Sequence, residues 1–301
     1  MSDLKPDPAM IGGVEKAPVV LLPLPAKLFS ARAERLEFLA QHSANLGPYL
    51  QFVAGICRAQ ARLVADLPSA DPPAADWVSL AQSSQMPLID RHHLKAGMPA
   101  ILDAFLALLA PLKMPAPARQ ALEAVIAANA DERDWLFSNV LNDKIPPDSI
   151  APHLFVAAAV QVQAARHAAT LDPQSVTQLH RGLCPVCGGL PSASVVMQHQ
   201  GVEGARYAAC ACCQTLWNEV RIHCLHCGDN GQISYRSVET GDAQIKAETC
   251  GACDHWLKIL YQTKNASLEA VADDVASLGL DLKMKNEGVL RGGFNPFLMG
   301  V

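Results

Sequence analysis

CPVCGGLPSASVVMQHQGVEGARYAACACC (184–213) and CLHCGDNGQISYRSVETGDAQIKAETCGAC (224–253) are two copies of one pattern, C-x2-C-x22-C-x2-C, set 40 residues apart. The register also aligns Gly188 with Gly228, Ser194 with Ser234, Arg206 with Lys246, Leu216 with Trp256 and Trp217 with Leu257. Nine of the ten cysteines fall inside residues 184–253. A C-x-x-C turn aims two sulfurs at one point, and a second such turn completes a tetrahedron of thiolates. Two copies are too few for a propeller, so the repeat reads as two small metal modules in tandem.

The candidate ligands are Cys184, Cys187, Cys210 and Cys213 in the first unit, and Cys224, Cys227, Cys250 and Cys253 in the second. The N-terminus, MSDLKPDPAM, has acids and prolines where an export signal needs basic and then apolar residues. The sequence therefore reads as cytoplasmic, where clustered cysteines serve as metal ligands rather than disulfides. Gly188 and Gly228 follow the first pairs, where a knuckle needs a positive φ, whereas Gln214 and Asp254 stand in the equivalent places of the second pairs. Between the pairs, SASVVMQ (192–198) and QISYRSV (232–238) read as strands of small hairpins. This is a rubredoxin-like or zinc-ribbon-like layout, with little core and a fold that leans on the metal.

Two cysteines fall outside the pattern. Cys212 has Ala252 as its counterpart, so repeat register favours Cys213 as the ligand and leaves Cys212 as a substitute or a reactive thiol. Cys57 reads as a small buried residue of a helix. His223, His226 and His255 lie beside the pairs, but four cysteines already fill each tetrahedron. His92, His93 and His153 have no ligand pattern around them and receive no role.

Outward from the repeat, residues 1–26 read as an irregular extension, 27–180 as a mainly α domain, 181–221 and 222–264 as the two metal modules, and 265–301 as a C-terminal helix and tail. Helical spacing covers about 27–41, 48–64, 97–110, 117–129, 131–142 and 150–170, with a loop at 68–76. A single helix is expected from Ser267 to Leu282, with Leu268, Val271, Val275, Leu278 and Leu282 as its apolar face. The tail through Phe294 to Met299 either packs on its own domain or offers a partner surface.

Composition sets the limits. The chain has 301 residues, is 50% hydrophobic and 18% charged, and carries a net charge of −5, which excludes a disordered chain. The longest apolar stretch, Ala100 to Leu112, is broken by Asp103 and is too short for membrane insertion. Residues 184–253 carry 4 basic and 6 acidic side chains, against what nucleic-acid binding requires. Closed four-thiolate sites leave no open coordination position for water activation or substrate. Zinc would make them structural, and iron would let each accept one electron. The sequence contains no phosphate-binding glycine loop, no G-x-S-x-G and no H-E-x-x-H, so it does not read as an enzyme.

The motifs CPVCGGLPSASVV (184–196), CACCQTLWNEVRIHCLHCG (210–228), KAETCGACDHWLKILYQ (246–262), VADDVASLGLDL (271–282) and GFNPFL (293–298) resemble the FdhE family of formate dehydrogenase accessory proteins. LPAKLFSARAERLEFLA (24–40) and PYLQFVAGICRAQ (48–60) extend the resemblance over nearly the whole chain. It implies a cytoplasmic maturation factor that binds the formate dehydrogenase catalytic subunit before export. It also implies two iron ions in rubredoxin-type sites on the eight cysteines, with zinc as the alternative occupant. Rival readings are a rubredoxin-like electron carrier or redox sensor, a zinc-ribbon nucleic-acid module, and a thiol–disulfide enzyme using one of the C-x-x-C pairs.

Overall fold

Pro25, Pro48, Pro99 and Pro117 each stand in the first turn of a helix, where the missing N–H has no partner to lose and the fixed φ favours entry. A computed structural model of the chain describes residues 17–179, 182–198, 202–238 and 242–298. Residues 1–16 of the expected extension and Met299 to Val301 of the tail lie outside these. The helices are α1 (Pro25–Gln41), α2 (Gly47–Asp66), α3 (Ala75–Ser83), α4 (Met98–Leu109), α5 (Ala116–Ala127), α6 (Ala130–Leu141) and α7 (Ile150–Ala168). α6 opens on a capping box in which Asn129 and Glu132 satisfy each other's backbone N–H.

The most deeply buried helix is α7, and its small residues Ala157, Ala158, Ala159, Ala164 and Ala165 let neighbouring helices approach closely. Gln60 Nε2 from α2 donates to Ala158 O and Gln161 Oε1 at 2.9 and 3.0 Å, which ties α2 to α7 through buried amides. The loop expected at 68–76 ends early, because Ala75 and Asp76 already belong to α3. Periodicity could not reveal α3, since Ala81 is its one fully buried side chain.

The strands are β1 (Val20–Leu21), β2 (Pro191–Val196), β3 (Arg206–Cys210), β4 (Leu216–Glu219), β5 (Ile233–Arg236), β6 (Ile245–Cys250), β7 (His255–Tyr261) and β8 (Leu290–Arg291). They form one sheet in the order β1-β4-β3-β2-β7-β6-β5, with β8 beside β7. The repeat is visible in it: β2-β3-β4 and β5-β6-β7 are equivalent antiparallel units, joined where β2 runs parallel to β7 with Ser194 opposite Ile259. The two modules thus share a sheet instead of standing as separate small folds. The expected irregular extension also contributes an edge strand, β1, with Val20 opposite Trp217.

The single C-terminal helix is corrected to two, α8 (Ala272–Ala276) and α9 (Leu278–Asn286). Ser277 interrupts them, its hydroxyl donating to Asp273 O at 2.7 Å. Glu269 accepts from Val271 N and Ala272 N, which fixes the start of α8 well after Ser267. Leu268, Val271 and Val275 are buried as expected, but Leu282 is exposed and α9 buries Leu280 and Met284 instead. The tail packs inward: Phe297 and Leu298 join the core, and Tyr49 donates to Phe297 O at 2.6 Å.

An ionic cluster pins this C-terminal segment to the sheet. Lys258 on β7 has no solvent exposure and meets Asp274 at 2.9 Å and also Asp281. Arg291 on β8 bonds both carboxylates, and Asn295 donates to Asp274 at 2.8 Å. Two cations and two anions balance, as burial requires. Burial alone would raise the Asp274 carboxyl, but Arg291 and Lys258 outweigh it and hold the group below the ordinary range. Replacing Lys258 with Met leaves two buried carboxylates facing one cation. Lys258→Met should lower unfolding stability by about 3–5 kcal/mol, read from the urea midpoint. Adding Asp281→Asn should recover part of that loss, and an unchanged midpoint in the single variant would refute the closed cluster.

Candidate metal centres

Each C-x-x-C knuckle is a tight turn at the end of a strand or loop. In the first pairs, Gly188 N donates to Cys184 O at 2.7 Å and Gly228 N to Cys224 O at 2.8 Å, with φ of +70° and +82°. The second pairs make the same turn without glycine: Gln214 and Asp254 adopt φ of +66° and +54°. In the first unit, side-chain bonds accompany that strained backbone. Gln214 donates to Ala211 O and Cys212 O, and accepts from buried Arg32 at 2.7 Å. Gly189 sits close against the sulfurs, because a Cβ there would lie 3.2 Å from Cys210 Sγ and 3.3 Å from Cys187 Sγ and would crowd them.

The turns bring Cys184, Cys187, Cys210 and Cys213 into one group and Cys224, Cys227, Cys250 and Cys253 into another, all sulfurs of a group within 4.8 Å of one another. Cys184 and Cys213 lie 3.6 Å apart, Cys187 and Cys210 3.5 Å, Cys224 and Cys253 3.7 Å, and Cys227 and Cys250 3.7 Å. A disulfide would need about 2.05 Å. A metal–sulfur distance of about 2.3 Å in a regular tetrahedron places the sulfurs about 3.8 Å apart. The donor set and its spacing therefore fit a tetrahedral thiophilic ion, and iron and zinc fit alike. Backbone N–H groups of Cys212 and Cys213 point at Cys210 Sγ, each at 3.3 Å, and the Thr215 hydroxyl lies 3.2 Å from Cys213 Sγ. The two backbone N–H donors stabilise thiolate sulfur at Cys210.

Cys212 stands outside the first group, and no histidine joins either group among the described residues. His226 instead stacks on His255, with ring centroids 3.6 Å apart and planes 9° apart. His255 Nδ1 lies 2.7 Å from Cys253 O, and His223 lies 3.5 Å from Glu219. His153 is buried within the helical region, and Cys57 is buried as expected, its thiol pushed up to about 12 by that burial.

The first group is clamped by the helical region. Leu88 N and Ile89 N donate to Pro185 O and Val186 O at 3.3 and 2.8 Å. Gln161 of α7 donates to Ala211 O at 2.8 Å, and Arg32 of α1 joins Gln214 to Glu269. The two units are tied by Arg206, buried on β3, which bonds Ser194, Glu248 on β6 at 2.7 Å and His223 O at 3.0 Å. Sequence reasoning missed Arg32, Gln161 and the role of Arg206. Only Arg206 carried a signal, its match with Lys246 in the repeat, and that match named no partner.

Burial and mutual hydrogen bonding set the electrostatics of the first group. Burial pushes the thiols of Cys184, Cys210 and Cys213 up, while hydrogen bonds from Cys184, Cys210, Cys212 and Cys213 lower Cys187.

Family profiles described as "FdhE, N-terminal", "FdhE, central domain" and "FdhE, C-terminal domain" match residues 17–181, 183–221 and 222–298. A relative called "Protein FdhE homolog" from Rhizobium meliloti (strain 1021) is 52% identical over 305 residues, covering 100% of this chain and 99% of the relative. "Protein FdhE" from Escherichia coli (strain K12) is 37% identical over 293 residues, covering 93% of this chain and 91% of the relative. The crystal structure of the FdhE protein from Pseudomonas aeruginosa is similar, with a TM-score of 0.83 and 32% identity, over 94% of this chain and 99% of that one.

Because a four-thiolate site must lose protons to take an ion, the apparent affinity for zinc should fall as pH drops from about 8 to about 6. Competition with a coloured chelator, alongside a count of released protons, reads this. An affinity independent of pH would mean that the sulfurs do not bind as thiolates.

Proposed function

This chain belongs to the FdhE family, and on that premise we propose that it is an accessory factor for formate dehydrogenase maturation rather than an enzyme. It acts on the catalytic subunit in the cytoplasm, before that subunit is exported. Each group of four cysteines holds one iron in rubredoxin fashion: Cys184, Cys187, Cys210 and Cys213 in one, Cys224, Cys227, Cys250 and Cys253 in the other. The observation that carries this reading is the pair of closed sulfur tetrahedra in a chain that matches FdhE along its length. All four vertices of each are cysteine, so the chemistry available is structural support or single-electron exchange.

Iron held by these cysteines would supply single-electron exchange, whereas zinc in the same cage would be redox-silent. The protein's own residues supply the rest. Backbone N–H groups of Cys212 and Cys213 temper charge at Cys210 Sγ, and Arg206 holds the two units in fixed relation. Among the described residues no helix is long and apolar enough to cross a membrane. A second reading, an electron carrier or redox sensor, is favoured by the exposure of Cys227 in the second cage.

Two measurements test the proposal. Affinity capture with the formate dehydrogenase catalytic subunit should retain this protein, and recovery of a control partner alone would overturn the accessory reading. Anaerobically purified protein should contain two iron ions per chain and absorb visible light through sulfur-to-iron charge transfer, and Cys184→Ser/Cys187→Ser should remove one of them. A colourless protein carrying zinc would eliminate the carrier reading and the iron assignment together.

A further inference from the structure

The repeat makes the two cages equivalent in sequence spacing, but their surroundings are not equivalent. Cys184, Cys187, Cys210 and Cys213 are at most 1% exposed and belong to the main hydrophobic core. In the second cage Cys224 and Cys250 are buried, Cys253 is half-buried and Cys227 is exposed. We propose that the cages have divided their tasks: the first is a permanent structural centre, and the second is an exchange site whose ion is reached through Cys227 by an incoming thiol or chelating group. This rests on the reading that both cages hold a metal.

Position by position, the repeat shows how the difference arose. Val186, inside the first knuckle, is fully buried under Ile89, whereas its counterpart His226 is exposed. Gly188 faces Pro87, so that an added Cβ would lie 2.9 Å from its ring, whereas nothing lies within 4 Å of that position at Gly228. Gln214 is buried and tied to Arg32, and its counterpart Asp254 is not buried. The segment entering the second cage exposes Val220 and Ile222, at 67% and 54%. The imidazole stack of His226 and His255 flanks the second cage where the first has the helical region.

Opening the first cage therefore requires the helical region to detach, a sub-global event, whereas the second opens by movement of one knuckle. At Cys227 the exchange balances without any oxidant. An incoming thiol gives up its proton, its sulfur bonds the ion as the Cys227 sulfur leaves, and Cys227 takes up a proton.

The full-length protein loaded with two zinc ions tests this when challenged with excess 4-(2-pyridylazo)resorcinol and glutathione. Release should be biphasic, with one ion per chain leaving at least about tenfold faster than the other. Timed N-ethylmaleimide labelling with peptide mapping should modify Cys227 and Cys253 before any cysteine of the first cage. Cys227→Ser should abolish the fast phase while one ion and the helical circular-dichroism signal remain. Cys187→Ser should remove the slow ion, and if that variant does not fold, the labelling order in the unsubstituted protein decides. Release of both ions at one rate, or equal labelling of both cages, would overturn the division of tasks. Protein that holds no ion at all, with eight thiols reacting together, would instead overturn the metal reading beneath it.

Discussion

Four sulfur atoms gathered within 4.8 Å of one another in a fully buried group, two pairs of them 3.5 and 3.6 Å apart, create an electrostatic demand that the surrounding protein must meet. Four thiolates with no cation among them would carry four negative charges in a low-dielectric core, which no arrangement of backbone dipoles could offset. A divalent ion held there would reduce that to about −2 and give the knuckles a common centre. The rest of the first unit is arranged around that constraint. Residues 88–89 bond one knuckle, Gln161 bonds the other, and Arg32 fixes the Gln214 side chain beside a left-handed backbone.

The same logic governs how the sheet is assembled. Parallel pairing of β2 with β7 joins the two copies through a central contact, and charged side chains cross the joined units where burial forbids unpaired charge. Arg206 spans from β3 to Glu248 on β6, and Lys258 reaches from β7 to α8 and α9. The C-terminal segment is thus a fixed part of the sheet's packing. Its final described residues, Phe297 and Leu298, return to the helical core beside Tyr49.

Duplication followed by unequal burial gives the protein two chemically similar centres in different dielectric surroundings. Solvent reaches the second cage and not the first. A single cage could not be both sealed and accessible, and the two copies divide those surroundings between them.

The sequence by itself determined what depends on local spacing. C-x-x-C turns, the 40-residue register and helical periodicity in 25–66 are properties of neighbouring residues, so they were legible without knowing what they pack against. So was the burial of Cys57 on the apolar face of α2. Other features depend on contacts between residues far apart in the chain, and no periodicity encodes those. Ser277 divides an apparently continuous apolar helix, its hydroxyl donating to Asp273 O, while the Asp273 and Asp274 side chains pair with Arg35, Lys258 and Arg291. Val20–Leu21 becomes a strand only because β4 offers it an edge. Tertiary structure alone decided which cage is sealed, since identical ligand spacing says nothing about whether a helical layer or water lies on the other side of the sulfur.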